Sequence, residues 1–192
     1  MLALLTHFSC WSSFLLLTLV NTVVHELNKM VAIHHLASKI RNASKALHAT
    51  TSVPLTRVNE NILAVLHHEG FIAGISKGST LGPHIDLTDT TKRSVDELHA
   101  LTPVSERRLW VDMKYVDGRP VLSTFSVVSK PSHRMYASAE RIKRVLNGRE
   151  KYAWRYGDLL GAITLVSTQR GIVSAQEALK HNMGGEIMAI CF

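Results

Sequence analysis

Apolar residues at Ile33, Leu36, Ala37, Ile40 and Leu47 recur at helical spacing, predicting a first helix over 33–47. Thr51 to Leu55 reads as a short extended piece, because Pro54 keeps Val53 out of the helical region. Thr56 then offers an N-cap for a second helix carrying Val58, Ile62, Val65 and Leu66 on one face. Gly70 supplies the left-handed residue that ends it. Phe71 to Ile75 and Leu109 to Tyr115 are predicted strands. Asp117-Gly118 signals a hairpin whose return strand is Val121 to Val128. Between them Ser76 to Glu106 is rich in Gly, Pro, Thr and Asp and reads as an insertion, with a helical turn at Val95 to Leu101.

Lys130-Pro131 interrupts the pattern and marks the expected domain boundary. Beyond it the expected order is a strand at His133 to Ala137, a helix at Ala139 to Leu146 and an irregular segment at Asn147 to Asp158. A strand at Ala162 to Val166, a helix at Ser174 to His181, a turn at Gly184-Gly185 and a strand at Glu186 to Cys191 complete it. Strands and helices do not alternate regularly, so the expected class is α+β in two small lobes rather than a doubly wound sheet. The first lobe, residues 30–128 with an insertion at 76–108, reads helix-strand-helix-strand-hairpin. The second, 129–192, is β-rich.

Residues 1–29 differ in kind. Their only formal charges are Glu26 and Lys29, and Leu2 to Val24 is largely apolar. A secretory signal needs a positive start, which is missing here. Residues 2–24 have the length of a membrane span, but His7, Ser9, Ser12, Ser13 and Asn21 weaken it. The preferred expectation is that Met30 is the working start and that no membrane is involved. The alternative is a protein anchored by that single span. From Met30 to Asn59 there is no acidic residue, while Lys39, Arg41, Lys45 and Arg57 alternate with the apolar stripe. Such an acid-free amphipathic start suits mitochondrial import.

Across 192 residues, hydrophobic side chains make up 46% and charged ones 19%, enough for a packed core. Cys10 and Cys191, near opposite ends, exclude a disulfide scaffold or a thiolate-rich zinc site. The net charge is +7, and it is unevenly spread: Arg107 to Arg155 holds twelve cations against Asp112, Asp117, Glu140 and Glu150. Such density favours a polyanionic partner.

Catalytic patterns fail on inspection. Gly74-Ile75-Ser76-Lys77-Gly78 matches a nucleophile elbow, but Ser79-Thr80-Leu81-Gly82-Pro83 cannot open the helix that an elbow requires. His34-His35 and His67-His68 are adjacent pairs, whose rings point to different faces of a helix, and no metal-ligand spacing supports them. Asn42-Ala43-Ser44 is a glycosylation sequon only in a secreted chain. No catalytic residue, metal or cofactor is expected, nor a small-molecule substrate.

Two polar groupings in the second lobe remain. Ser129-Lys130-Pro131-Ser132-His133-Arg134-Met135-Tyr136 gathers two cations, hydroxyls and an aromatic around a turn. Ser167-Thr168-Gln169-Arg170-Gly171 follows a strand. Hydroxyls there could reach a 2′-hydroxyl or a base edge, or simply satisfy the turn backbone; Tyr136 could stack on a base, or lie in the core.

These segments resemble the universal family of small-subunit ribosomal protein eight, which binds the central domain of small-subunit ribosomal RNA. The most specific stretch is Leu165 to Val173, then Glu177-Ala178, then Met183-Gly184-Gly185-Glu186-Ile187. It is similar to the family's V-S-T-x-x-G-[IV]-[MV] … A … G-G-E-[IV] signature. Lys39-Ile40-Arg41-Asn42, Val65-Leu66 through Ile72, and Val128 to Pro131 with Arg134 and Tyr136 support it. The resemblance implies a non-enzymatic ribosomal component that contacts small-subunit rRNA and neighbouring ribosomal proteins. Its RNA contacts would lie at Ser167, Thr168, Gln169, Gly171 and Glu186, at Ser129, Lys130, Arg134 and Tyr136, and on the first helix at Lys39, Arg41 and Asn42. Glu186, a carboxylate facing a polyanion, would either accept from a base amino group or hold the Ser167 loop from within; the second is preferred.

The departures are instructive. The family's Pro-Gly is Pro131-Ser132 here, and its N-terminal Asp-Pro-Ile-Ala-Asp is reduced to Val31-Ala32-Ile33-His34-His35. Lys77 to Pro83 and Arg107-Arg108-Leu109-Trp110-Val111 look like the fungal mitochondrial branch, which implies the mitochondrial ribosome, with the cytoplasmic ribosome as the alternative.

Overall fold

A computed structural model describes residues 31–83, 102–147 and 161–192. The 1–29 extension and the helical turn expected at Val95 to Leu101 lie outside the described residues, as does most of the irregular segment.

Residues 31–45 form helix α1, with Ile33, Leu36 and Ile40 on its buried stripe. The helix stops short of the expected Leu47. That residue instead takes a left-handed conformation (φ 54°), and the His48 N–H bonds back to the Ala43 carbonyl at 3.1 Å. Strand β1 (Thr50–Pro54) leads to helix α2 (Arg57–His68). Thr56 caps it by accepting from the Asn59 N–H at 3.2 Å, and the buried Asn59 amide donates to the Pro54 carbonyl at 3.0 Å, tying the helix start to β1. Gly70 (φ 81°) ends the helix, with Phe71 N–H bonded to Leu66 O and Gly70 N–H to His67 O.

Strands β2 (Ile72–Gly78) and β3 (Arg108–Met113) follow, and β3 lies between β1 and β2, antiparallel to both. Asp117 (φ 50°) and Gly118 (φ 74°) close the expected hairpin, but its strands β4 (Tyr115–Val116) and β5 (Arg119–Pro120) are two residues each. The return strand therefore differs from expectation. Both edges of β3 are occupied, and Pro120 cannot donate to a longer ladder. The chain crosses instead to a second sheet, where β6 (Phe125–Val127) pairs with β10 (Gly185–Cys191).

That sheet runs β6-β10-β8-β9, with β8 spanning Ile163–Thr168 and β9 spanning Gly171–Ser174; β7 (Tyr136–Ala137) also pairs with β10. β9 is a strand the periodicity missed, being only four residues long. Helices α3 (Ala139–Leu146) and α4 (Ala175–Lys180) begin at Ser138 and Ser174, whose hydroxyls accept the Arg141 and Glu177 N–H groups. The architecture is α+β, as expected.

One face of the second sheet (Leu165, Ile172, Met188, Cys191) joins Ile33, Leu66 and Val111 in a core shared with the first sheet and α1 and α2. The other face (Val166, Ile187, Ile190) packs with Ile142 and Val145 of α3 and Ala175 of α4. β10 is thus covered on both faces, which explains why Ile187 to Cys191 is continuously apolar rather than alternating.

Burial pushes the Cys191 thiol far above its ordinary range, so the reactive thiolate is suppressed. Alkylation by iodoacetamide at pH 8 is expected to leave the Cys191 peptide unmodified in the folded protein and to modify it fully in urea. Mass spectrometry of the digest reads both; modification without denaturant would contradict this packing.

Candidate nucleic-acid interface

β10 brings the two polar groupings together. Its Glu186 lies opposite Ser167 of β8 on one side and Tyr136 of β7 on the other. Directly opposed residues in antiparallel strands share a sheet face. Tyr136, Glu186 and Ser167 thus form one row across three strands, which Ile172 of β9 extends. Along it exposure changes sharply: Tyr136 is 63% accessible, whereas Glu186 is 4%.

The approach depends on two glycines. A Cβ on Gly184 would sit 2.6 Å from the Ala137 carbonyl and 2.9 Å from Ser138 Cα; one on Gly185 would collide with the Ser167 carbonyl. Gly184-Gly185 is therefore not merely a turn. It lets β10 close against the backbone on both sides, so the Ser167 segment and Tyr136 become neighbours.

Ser167 to Gly171 forms a tight hairpin with Gln169 and Arg170 exposed at its tip. Gly171 (φ 117°) adopts a backbone that other residues avoid. The Thr168 hydroxyl donates to the Gly171 carbonyl at 3.0 Å and accepts the Arg170 N–H at 3.3 Å. This is the local turn bonding that short hydroxyls favour. Arg170 extends outward, with Nη1 3.3 Å from His181 Nδ1.

The second loop is equally built. Lys130 and His133 exchange both backbone hydrogen bonds at 3.0 Å, leaving Pro131-Ser132 at the tip with no positive φ at Ser132. Serine therefore occupies the family's glycine position without strain. Ser129 is fully buried, and its hydroxyl accepts the Met135 N–H at 3.1 Å, fixing the loop's far side. Lys130 is exposed and Arg134 half-buried. Tyr136, for which a core position was one reading, stands in solvent. Lys39, Arg41 and Asn42 are exposed on α1, on a different element from the row. Sequence reasoning passed over Arg170; its place at the tip of a two-residue turn was the available signal.

Ser76 lies within regular strand β2, opposite Trp110, with no strand-to-helix elbow around it. Among the described residues no three His, Cys, Asp or Glu side chains come together to hold a metal ion, and no helix is long and apolar enough to cross a membrane.

A sheet edge carrying an exposed tyrosine, flanked by two tightly bonded polar loops and basic side chains, is the candidate nucleic-acid interface of this α+β protein. Residues 32–192 match the family described as ribosomal protein S8. Small ribosomal subunit protein uS8m of Schizosaccharomyces pombe is 32% identical over 156 residues, covering 81% of this chain and 96% of that protein. Its namesake in Neurospora crassa is 35% identical over 156 residues, with 81% and 94% covered. Small ribosomal subunit protein uS8 of the bacterium Acidiphilium cryptum is 32% identical over 155 residues, with 81% and 93% covered. The chain belongs to the ribosomal protein S8 family.

Gly185→Ala is expected to destabilise the protein by about 1–3 kcal/mol, the usual cost of forcing atoms into an occupied space. Gly171→Ala, where only the backbone angle objects and no atom stands in the way, should cost about 1 kcal/mol. Urea unfolding midpoints test the order; equal values would mean that the close approach is unimportant.

Proposed function

We propose that this chain is a structural RNA-binding component of the mitochondrial small ribosomal subunit, where it binds the central domain of small-subunit rRNA and neighbouring ribosomal proteins. The cross-strand row Tyr136–Glu186–Ser167 carries the reading, because it sets an aromatic platform beside a rigid polar turn. RNA is read mostly by stacking on unpaired bases and by contacts to 2′-hydroxyls and phosphates. Tyr136 supplies the stacking face. Ser167, Gln169 and the Gly171 backbone present polar groups, while Lys130 and Arg134 neutralise phosphates. Lys39, Arg41 and Asn42 act from α1.

Three residues of the expected contact set work from behind the surface. Ser129 and Thr168 spend their hydroxyls on the loop backbones, and Glu186 lies buried opposite Ser167. The domain division at Lys130-Pro131 is read as a functional one, with recognition concentrated after it. The mitochondrial assignment rests on the acid-free segment from Met30 to Asn59 and on the fungal relatives that share the uS8m name.

Tyr136→Ala is expected to weaken binding of a central-domain rRNA fragment by about 1–3 kcal/mol, the usual worth of a stacked base. Ser167→Ala combined with Thr168→Ala should cost a similar amount through lost hydrogen bonds and a loosened turn. Gel-shift titration at fixed salt reads both. Wild-type affinity in the tyrosine variant would remove stacking from the interface.

A further inference from the structure

The segments Lys77 to Pro83 and Arg107 to Val111 meet in the first sheet. There Gly78 pairs with Arg108 and Ser76 with Trp110. Trp110 Nε1 donates to the Ser79 carbonyl at 3.0 Å, the Ser79 N–H to the Gly82 carbonyl at 2.9 Å, and the Leu81 N–H to Ser79 Oγ at 3.2 Å. Gly78 has no room for a Cβ, hemmed in by Pro83 and Trp110. The result is a pinned turn that carries Thr80 to the mouth of an open cleft of about 560 Å³.

α1 forms the opposite wall. His35, Lys39 and Asn42 lie four and three residues apart, so they share one stripe of the helix, beside the stripe that packs into the core. The floor comes from β1, through Ser52, and from β3, through Arg108. Arg108 is flanked in register by Pro54 and Gly78, whose side chains carry no acceptor for a guanidinium. No carboxylate lines the cleft among the described residues, and the whole of Met30 to Asn59 lacks one. Two cations converging in a concave, acid-free space focus a positive potential into it.

We infer that this cleft is a second anion site, which takes backbone phosphate of a nucleic acid between Arg108, Lys39 and the Thr80 turn. The inference rests on the RNA-binding reading and adds to it Arg108 and Thr80. Hydroxyl and amide donors from Thr80, Ser52 and Asn42 complement the two cations. None of these groups selects a base, so the cleft positions the RNA without reading its sequence.

The test uses the full-length protein, with binding measured across a salt series for the central-domain rRNA fragment and for a poly(A)·poly(U) duplex. Arg108→Gln should weaken both RNAs about fivefold or more and reduce the salt slope by about one, as removal of one phosphate contact does. Thr80→Glu, at an exposed position where folding is indifferent, should weaken both by repulsion. Tyr136→Ala should weaken the cognate fragment alone. If both cleft variants keep wild-type affinities and slopes while Tyr136→Ala loses the fragment, the cleft inference is wrong and the RNA-binding reading stands. If the wild-type protein binds neither RNA, both fall. If the variants lose only the binding of inorganic phosphate, measured by calorimetry, the site serves a free anion and the inference is overturned.

Discussion

The contact between the backbone of Gly184-Gly185 and its neighbours is the constraint on which the interface depends. At these two positions β10 comes so close to Ala137, Ser138 and the Ser167 carbonyl that no side chain fits. Everything chemically interesting in the second sheet lies within two strands of that contact. With it, Tyr136, Glu186 and Ser167 form one continuous row; widened by a methyl group, the row would lose either its aromatic end or its turn.

Rigidity follows from how the polar groups are spent. The Thr168 and Ser129 hydroxyls bond to their own loops, and Lys130 and His133 close a tight turn. A surface organised in this way loses little conformational freedom when a ligand arrives, which favours binding of a folded partner. Beneath it, β10 is buried on both faces and belongs to both cores, so the surface inherits the stability of the whole molecule. Charge plays a separate part. In the proposed function the exposed cations draw a polyanion from a distance, while the row of three residues accounts for shape.

The sequence made several features legible because one residue type decided each. Thr56 and Gly70 bounded α2, and Asp117-Gly118 closed a hairpin. Long-range pairing was less accessible. Val121 to Val128 looked like the partner of Leu109 to Tyr115, yet β1 and β2 already occupied both edges of β3, a fact no local pattern contains. β9 escaped because four residues give too few alternations to register. Within the candidate interface, residue types singled out two loops but not which of their side chains face outward. Ser129 and Tyr136 were equal candidates by chemistry, and burial separated them completely. The cleft under Thr80 was invisible for a similar reason, since its walls come from residues separated by much of the first lobe.

Hydrogen–deuterium exchange on the full-length protein, with and without a central-domain rRNA fragment, tests the claim that a single surface assembled by β10 engages RNA. The account expects amides in Lys130–Tyr136 and Thr168–Gly171 to slow together at the same RNA concentration, while the Tyr115–Pro120 hairpin is unchanged. Protection of one loop without the other, or equal slowing in that hairpin, would contradict it.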